Sequence, residues 1–442
     1  MKKTLVAVAA LAAVGGASAQ VTITGYFGAS YDQYSIGNVN AARLGNTSET
    51  RVSDQSSRIL FNVNEDLGGG LSAVGQYDLR FKVDAAARIQ AEPSYAIPAI
   101  ASNASTANFA SIAGSTVQQQ PAVDPVTNGN IHVGLASKEW GAVRFGRQDV
   151  YYVEQANLMP GGLFLASNQQ PVFHSLATAN ASRTPNFLWY TSNNINGFTG
   201  QFGYSTNPLR ASGTSEVEAD VGGSAVTSQR KGSGVYWKLN YVNGPIDATL
   251  TGIDYKSDYI KTGGTDGTNQ AGAAGTGQSQ TTDQKGSTFV VKYQVTPELR
   301  LAYGRSDEKQ IYAHAGTAAA TTNYVTALPA FAIGDTVSAV ANSFSAAYVV
   351  GKNQFTYNFA KRGNLAVNGA EQANTGISQS TFAYNYNFSK NTAVGLMYTE
   401  QSVDSNAVGG LFYQGNNAYG GQIATMRGET QRITSFALRQ NF

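Results

Sequence analysis

The 442 residues carry 30 Lys and Arg against 28 Asp and Glu, and setting aside Lys2 and Lys3 leaves 28 of each. A chain without net charge lacks the broad basic surface of a non-specific nucleic-acid binder, and with no cysteine it has no disulfides, zinc–thiolate sites or cysteine nucleophiles. Charged residues make up only 13%, against about a quarter in an ordinary soluble domain, yet the mean hydropathy of −0.23 is too polar for a bundle of membrane helices.

Residues 1–19 read as an export leader. Lys2 and Lys3 precede an apolar run from Leu5 to Val14, and Ala17-Ser18-Ala19 supplies a small-x-small cleavage site, so cleavage is expected after Ala19. The run is too short to cross a bilayer core of about 30 Å.

From Gln20 onward the dominant period is two. Leu71, Ala73, Gly75, Tyr77, Leu79, Phe81 and Val83 alternate with Ser72, Val74, Gln76, Asp78, Arg80 and Lys82. The same alternation recurs around Val235–Tyr241, Phe289–Val295, Phe355–Phe359 and Phe382–Phe388. Short connections fall at Glu65–Gly70, Ser137–Trp140, Asn193–Asn196, Asn243–Pro245, Thr296-Pro297, Gly351-Lys352 and Ser389–Asn391. Long ones run 35–53, 84–128, 150–183, 207–231, 258–284, 307–336, 363–376 and 403–429. Short and long alternate, so eight long and seven short connections join sixteen expected strands.

That sorting separates a membrane barrel from a soluble sandwich. A sandwich also alternates, but its loops are not divided into two length classes in strict turn. Its buried face also favours Val and Ile over Tyr. Here the apolar face often ends in Tyr or Phe, as interfacial girdles require. The expected fold is all-β: a sixteen-stranded antiparallel transmembrane barrel over 20–442, with short periplasmic turns and long external loops. A backbone in lipid must satisfy its polar groups within a closed ladder, which only such a barrel or a helix allows. The terminal Phe442, with Phe436 and Leu438 on the same face, agrees with that reading.

Several stretches carry a resemblance to a known family. They include Val21-Thr22-Ile23-Thr24-Gly25-Tyr26-Phe27 and Ser57-Arg58-Ile59-Leu60-Phe61, followed by the turn Glu65-Asp66-Leu67-Gly68-Gly69-Gly70-Leu71. They continue with Val133-Gly134-Leu135, Trp140 to Gln148, Asn186 to Tyr190 with Asn196-Gly197-Phe198, and Tyr386 to Thr392. Together they resemble the general bacterial porins, sixteen-stranded trimeric barrels of the Gram-negative outer membrane. The resemblance implies a homotrimer held by the first and last strands, an inward-folded third loop at 150–183, and outer-membrane lipid and lipopolysaccharide as surroundings. It also implies recognition of Phe442 by the barrel-assembly machinery. Two positions depart from the pattern. The family's Arg five residues before the Gly of V-G-L is Gly129 here, and its P-E-x-G-G stretch is Met159-Pro160-Gly161-Gly162, without the acid.

Strand parity then assigns charges to the lumen. With Ile59 and Phe61 toward lipid, Arg58 faces in; with Leu79 and Phe81 out, Asp78, Arg80 and Lys82 face in; with Val143 and Phe145 out, Arg144 faces in. A cation facing lipid at mid-bilayer would cost about 2–4 kcal/mol. The acids of the third loop are Asp149 and Glu154, which either face those cations across the pore or, for Asp149, pair with Arg147 at the strand end. Met159, Phe164 and Phe173 are expected to pack that loop against the wall.

His132, His174 and His314 have no metal-ligand spacing and no Ser/Asp partner motif. The glycine stretches at 68–70 and 263–277 lack the Lys-Ser/Thr ending of a phosphate loop. No cofactor and no catalysis are therefore expected. A barrel protease or phospholipase would need a cluster of acid–base groups, which the sequence does not offer; an adhesin built on the external loops would share the barrel. The reading is a passive, water-filled channel for ions and small hydrophilic solutes, with a weak preference for anions.

Overall fold

The computed structural model describes residues 20–41, 47–80, 83, 129–151, 172, 183–206, 208, 230–259, 281–314, 335–407 and 427–442. Its strands, in chain order, begin with β1 (Gln20–Gly37), β2 (Ser48–Asp54), β3 (Arg58–Gly68) and β4 (Leu71–Arg80). They continue with β5 (Ile131–Ser137), β6 (Gly141–Asp149), β7 (Arg183–Thr191), β8 (Phe198–Ser205), β9 (Arg230–Asn243) and β10 (Ile246–Tyr259). The second half holds β11 (Thr281–Gln294), β12 (Leu299–His314), β13 (Thr336–Val350) and β14 (Asn353–Arg362). After the two-residue strands β15 (Ala366–Val367) and β16 (Ala370–Glu371) come β17 (Ile377–Asn387), β18 (Thr392–Val403) and β19 (Thr430–Asn441).

Both β2 and β3 pair with β1, at Ala29↔Asp54 to Ser35↔Ser48 and at Gln20↔Asn64 to Tyr26↔Arg58, so they are two halves of one wall strand bent at 55–57. The β15–β16 hairpin stands apart, adding only a short pairing to β13. The remaining wall has sixteen antiparallel strands, each bonded to its sequence neighbour. Closure comes from β1 with β19, registered from Tyr26↔Asn441 to Gly37↔Thr430. The terminal residue seals it, since Phe442 N donates to Gly25 O at 3.0 Å and Gly25 N to Phe442 O at 3.2 Å. Among the described wall strands none is left with an unpaired edge.

The two faces follow the alternation. Phe145, Phe202, Phe289, Phe344, Phe382 and Leu396 are exposed on the outside. In a bilayer each such side chain gains about 1.5–3 kcal/mol over contact with water. Aromatic pairs such as Phe27–Phe442, Phe198–Tyr241 and Phe355–Tyr384 stand near the short-turn end. Near the long-loop end the outer face instead carries ion pairs: Lys285–Asp254, Arg305–Asp307 and Arg432–Glu400. The apolar band lies between these two borders.

All seven short connections stand where the sequence places them. The turn of Gly68, Gly69 and Gly70 has φ of 83°, 61° and 78°, which only glycine adopts without strain, and Gly68 N donates to Asp66 Oδ1 at 2.8 Å. Some long connections are shorter than their polar composition suggests. The loop expected over 35–53 shrinks because β1 runs to Gly37 and β2 begins at Ser48, and the one expected from 307 starts after His314. Beyond the bilayer both faces of a strand meet water, so the ladder continues while the apolar alternation stops.

Candidate functional site

Inward-facing residues of five neighbouring wall strands and the segment before β5 meet in one belt. Arg58 is the register partner of both Tyr26 on β1 and Arg80 on β4. Arg80 donates to Asp78 Oδ2 through Nε at 2.9 Å and Nη2 at 2.7 Å, and through Nη2 to Asp149 Oδ2 at 3.0 Å. Asp78 is only 1% exposed, so its charge depends on this fork, with Arg58 a more distant second partner at 3.8 Å. The next segment braces both acids: Asp78 N donates to Asn130 O at 2.8 Å, and Asp149 N to Asn130 Oδ1 at 2.6 Å.

Gly129 belongs to this arrangement. A Cβ at that position would lie 2.2–2.4 Å from Asp78 Cγ, Oδ2 and Cβ. The departure from the family pattern is therefore filled: Asp78 lies against the backbone there and takes its cation from Arg80.

At the other end of the belt, two guanidinium groups attend one ring. The Cζ of Arg58 stands 5.3 Å and that of Arg439 4.3 Å from the centroid of Tyr26. Aromatic contact of this kind favours a cation by about 0.5–2 kcal/mol and holds like charges close. The belt runs Arg439–Tyr26–Arg58–Asp78–Arg80–Asp149. Three arginines stand against two aspartates, and the acids are committed mainly to Arg80.

The sequence-assigned residues divide accordingly. Arg58, Asp78, Arg80 and Asp149 come together. Asp149 stands on the same wall as the cations, as the last residue of β6, and its described carboxylate partner is Arg80; Arg147 donates through Nε to Gly129 O at 3.0 Å. Arg144 faces the lumen, as the register partner of inward Trp189. It lies five residues nearer the short turn than Asp149, about 17 Å along the strand at about 3.3 Å per residue, and so is outside the belt. Among the described residues Arg144 has no carboxylate partner. Lys82 and Glu154 lie outside the described residues, as do Met159, Phe164, Phe173 and His174.

Arg439 and Tyr26 are the belt members that the sequence reading passed over. Parity alone locates Arg439: with Phe436 and Leu438 outward, it must face in. Its neighbours on β1 and β3 become visible only once the barrel closes, which brings Gly28 opposite Arg439.

The root of the third connection enters the barrel. Val150 and Tyr151 are buried with Phe187, Trp189, Tyr236, Ile253 and Tyr255 on the lumen side of β7, β9 and β10. Farther along, Val172 is buried with Ala360, Ile377, Val403 and Ala407, near the long-loop ends of β14, β17 and β18. His132 faces the lumen with its ring edge-on to Trp189 at 5.1 Å, a packing role. Among the described residues no group of acids and histidines could hold a metal ion.

A sequence profile described as Gram-negative porin matches residues 6–406. No curated protein matches the chain. Among solved structures, an anion-selective porin from Comamonas acidovorans is similar at a TM-score of 0.62 and 19% identity, covering 96% of this chain and 100% of that one. The trimer form of OmpT, an outer membrane protein of Vibrio cholerae, gives 0.57 and 12%, over 96% and 100%. Salmonella typhi OmpF in complex with daunomycin gives 0.54 and 13%, over 96% and 97%. These likenesses concern the fold, and the closed sixteen-stranded wall is the fold they share. With the profile spanning most of its length, the chain belongs to the Gram-negative porins, a family of outer-membrane channels.

Proposed function

We propose that the barrel is a passive, water-filled diffusion channel for ions and small hydrophilic solutes, with a weak preference for anions. The observation that carries the sign is the belt. Asp78 and Asp149 are spent on Arg80, whereas Arg58 and Arg439 gather at Tyr26. A belt that holds three arginines to two aspartates raises the local anion concentration. The Comamonas acidovorans neighbour, an anion-selective porin, points the same way. The third connection, 150–183, supplies the constriction in this reading, with Val150, Tyr151 and Val172 as described points of contact inside the barrel.

The assembly proposed is a homotrimer, in keeping with the trimeric OmpT neighbour, set among outer-membrane lipid and lipopolysaccharide. Residues 1–19 are the cleaved leader, and Phe442, sealed to Gly25, is the handle for the barrel-assembly machinery. Ohmic single-channel steps in planar bilayers, occurring in threes, are the expected result for the purified protein. A folded protein that stays silent would overturn the channel, and crosslinking that yields only monomer would overturn the trimer.

A further inference from the structure

We infer that Tyr151 is a positioning residue for the constriction, a pin that holds the root of the third connection across the lumen, with Gly286 as its socket. The inference rests on the channel reading above. Tyr151 leaves the end of β6, yet its hydroxyl meets β11 and β12, five and six strands farther round the wall. There Thr288 Oγ1 donates to Tyr151 Oη at 3.1 Å, and the carboxylate of Glu308, itself buried, faces the same hydroxyl.

Three independent features mark this contact as built. Tyr151 is fully buried, in a cluster drawn from three other wall strands. Its φ of 31° lies in the left-handed region that a bulky residue adopts only where its surroundings impose it. At Gly286 an added Cβ would stand 2.5 Å from Tyr151 Oη and 2.8 Å from Cζ, so any larger residue would evict the phenol. The return end is tied independently, through Thr184 and Tyr255, whose hydroxyls share a hydrogen bond. A tyrosine that merely filled the wall would stabilise the barrel. One whose hydroxyl reaches β11 and β12 from the end of β6 also sets how far the root stands into the lumen.

The test is a double-mutant cycle read by single-channel conductance of the full-length protein in planar bilayers. Tyr151→Ala frees the root and should raise conductance roughly 1.5-fold, since conductance follows the narrowest cross-section. Gly286→Ala pushes the phenol back into the lumen and should lower it. In the Tyr151→Ala background the same methyl meets nothing, so Gly286→Ala should add no further change. Tyr151→Phe keeps the ring but loses the hydroxyl's bond to Thr288 and should fall between the wild type and Tyr151→Ala. Should Tyr151→Ala fail to assemble, Tyr151→Leu takes its place in the cycle. A merely structural role would lower the temperature at which the barrel opens on a gel and leave conductance unmoved. Variants that fold and conduct like the wild type, or a Gly286→Ala effect indifferent to the phenol, would overturn the pin. A silent wild-type protein would overturn the channel reading and this inference together.

Discussion

Two parts of the lumen wall solve the same problem with different chemistry. From β19 through β1 to β6 the inward face is charged and tightly paired: Arg439, Arg58, Asp78, Arg80 and Asp149 in one belt. From β13 to β18 the inward face is uncharged and polar at mid-barrel, with Ser343, Asn358, Gln379, Thr381, Thr399 and Gln401 all buried. There Gln379, Gln401 and Gln431 stand directly opposite one another across three strands. Both faces suit a wet lumen, but only one gives the field a sign. Amides and hydroxyls carry no net charge with which to choose the sign of an ion, whereas fixed arginines act on any ion within a Debye length, about 10 Å in 0.1 M salt. The described charge on the second wall, Arg362, sits at the far end of β14 and donates to Thr375 O.

The largest effect should come from breaking the fork. Arg80→Ala leaves Asp78 and Asp149 without their main cation in a nearly dry site, a change that costs about 3–5 kcal/mol when a buried pair loses one partner. Denaturant unfolding of the refolded barrel should show it, and a loss below about 1 kcal/mol would mean that the acids are solvated. Next in size is a change of function at constant fold. Arg58→Ser together with Arg439→Ser removes both cations beside Tyr26 and should carry the reversal potential in a salt gradient across zero toward cations.

Gly129→Arg restores the residue usual in the family and yet should fail to strengthen anion preference, because its Cβ collides with Asp78. Its expected signature is an opened belt and lower stability, and a stable, more anion-selective variant would contradict the account of that departure. Arg144→Ser should shift selectivity less than the Tyr26 pair does, because it removes one inward cation rather than two and leaves the belt intact. Smallest of all, Gln401→Ala on the uncharged wall should leave the reversal potential unchanged.

The charged wall was partly legible because parity does most of the sorting. Ile59, Phe61 and Leu79 lie on one face of β3 and β4, which leaves Arg58, Asp78 and Arg80 together on the other. Parity does not carry height. Arg144 shares their side but not their level, and that level emerges only once β4, β5 and β6 are in register. Nor does parity show who pairs across closure: Arg439 reaches Tyr26 because the last strand bonds to the first. Asp149 looked like a loop residue because its β-strand ends in water, where the apolar alternation that marks a strand has already stopped. The glycine at 129 read as a lost cation, and only the placement of Asp78 shows what occupies the space.

The central claim, that the belt gives the lumen a positive field, is tested most directly by the reversal potential of the wild-type channel in a salt gradient at low ionic strength. The account predicts a modest anion-selective potential that decays as ionic strength rises and the belt is screened. A channel that is cation-selective under those conditions would contradict it.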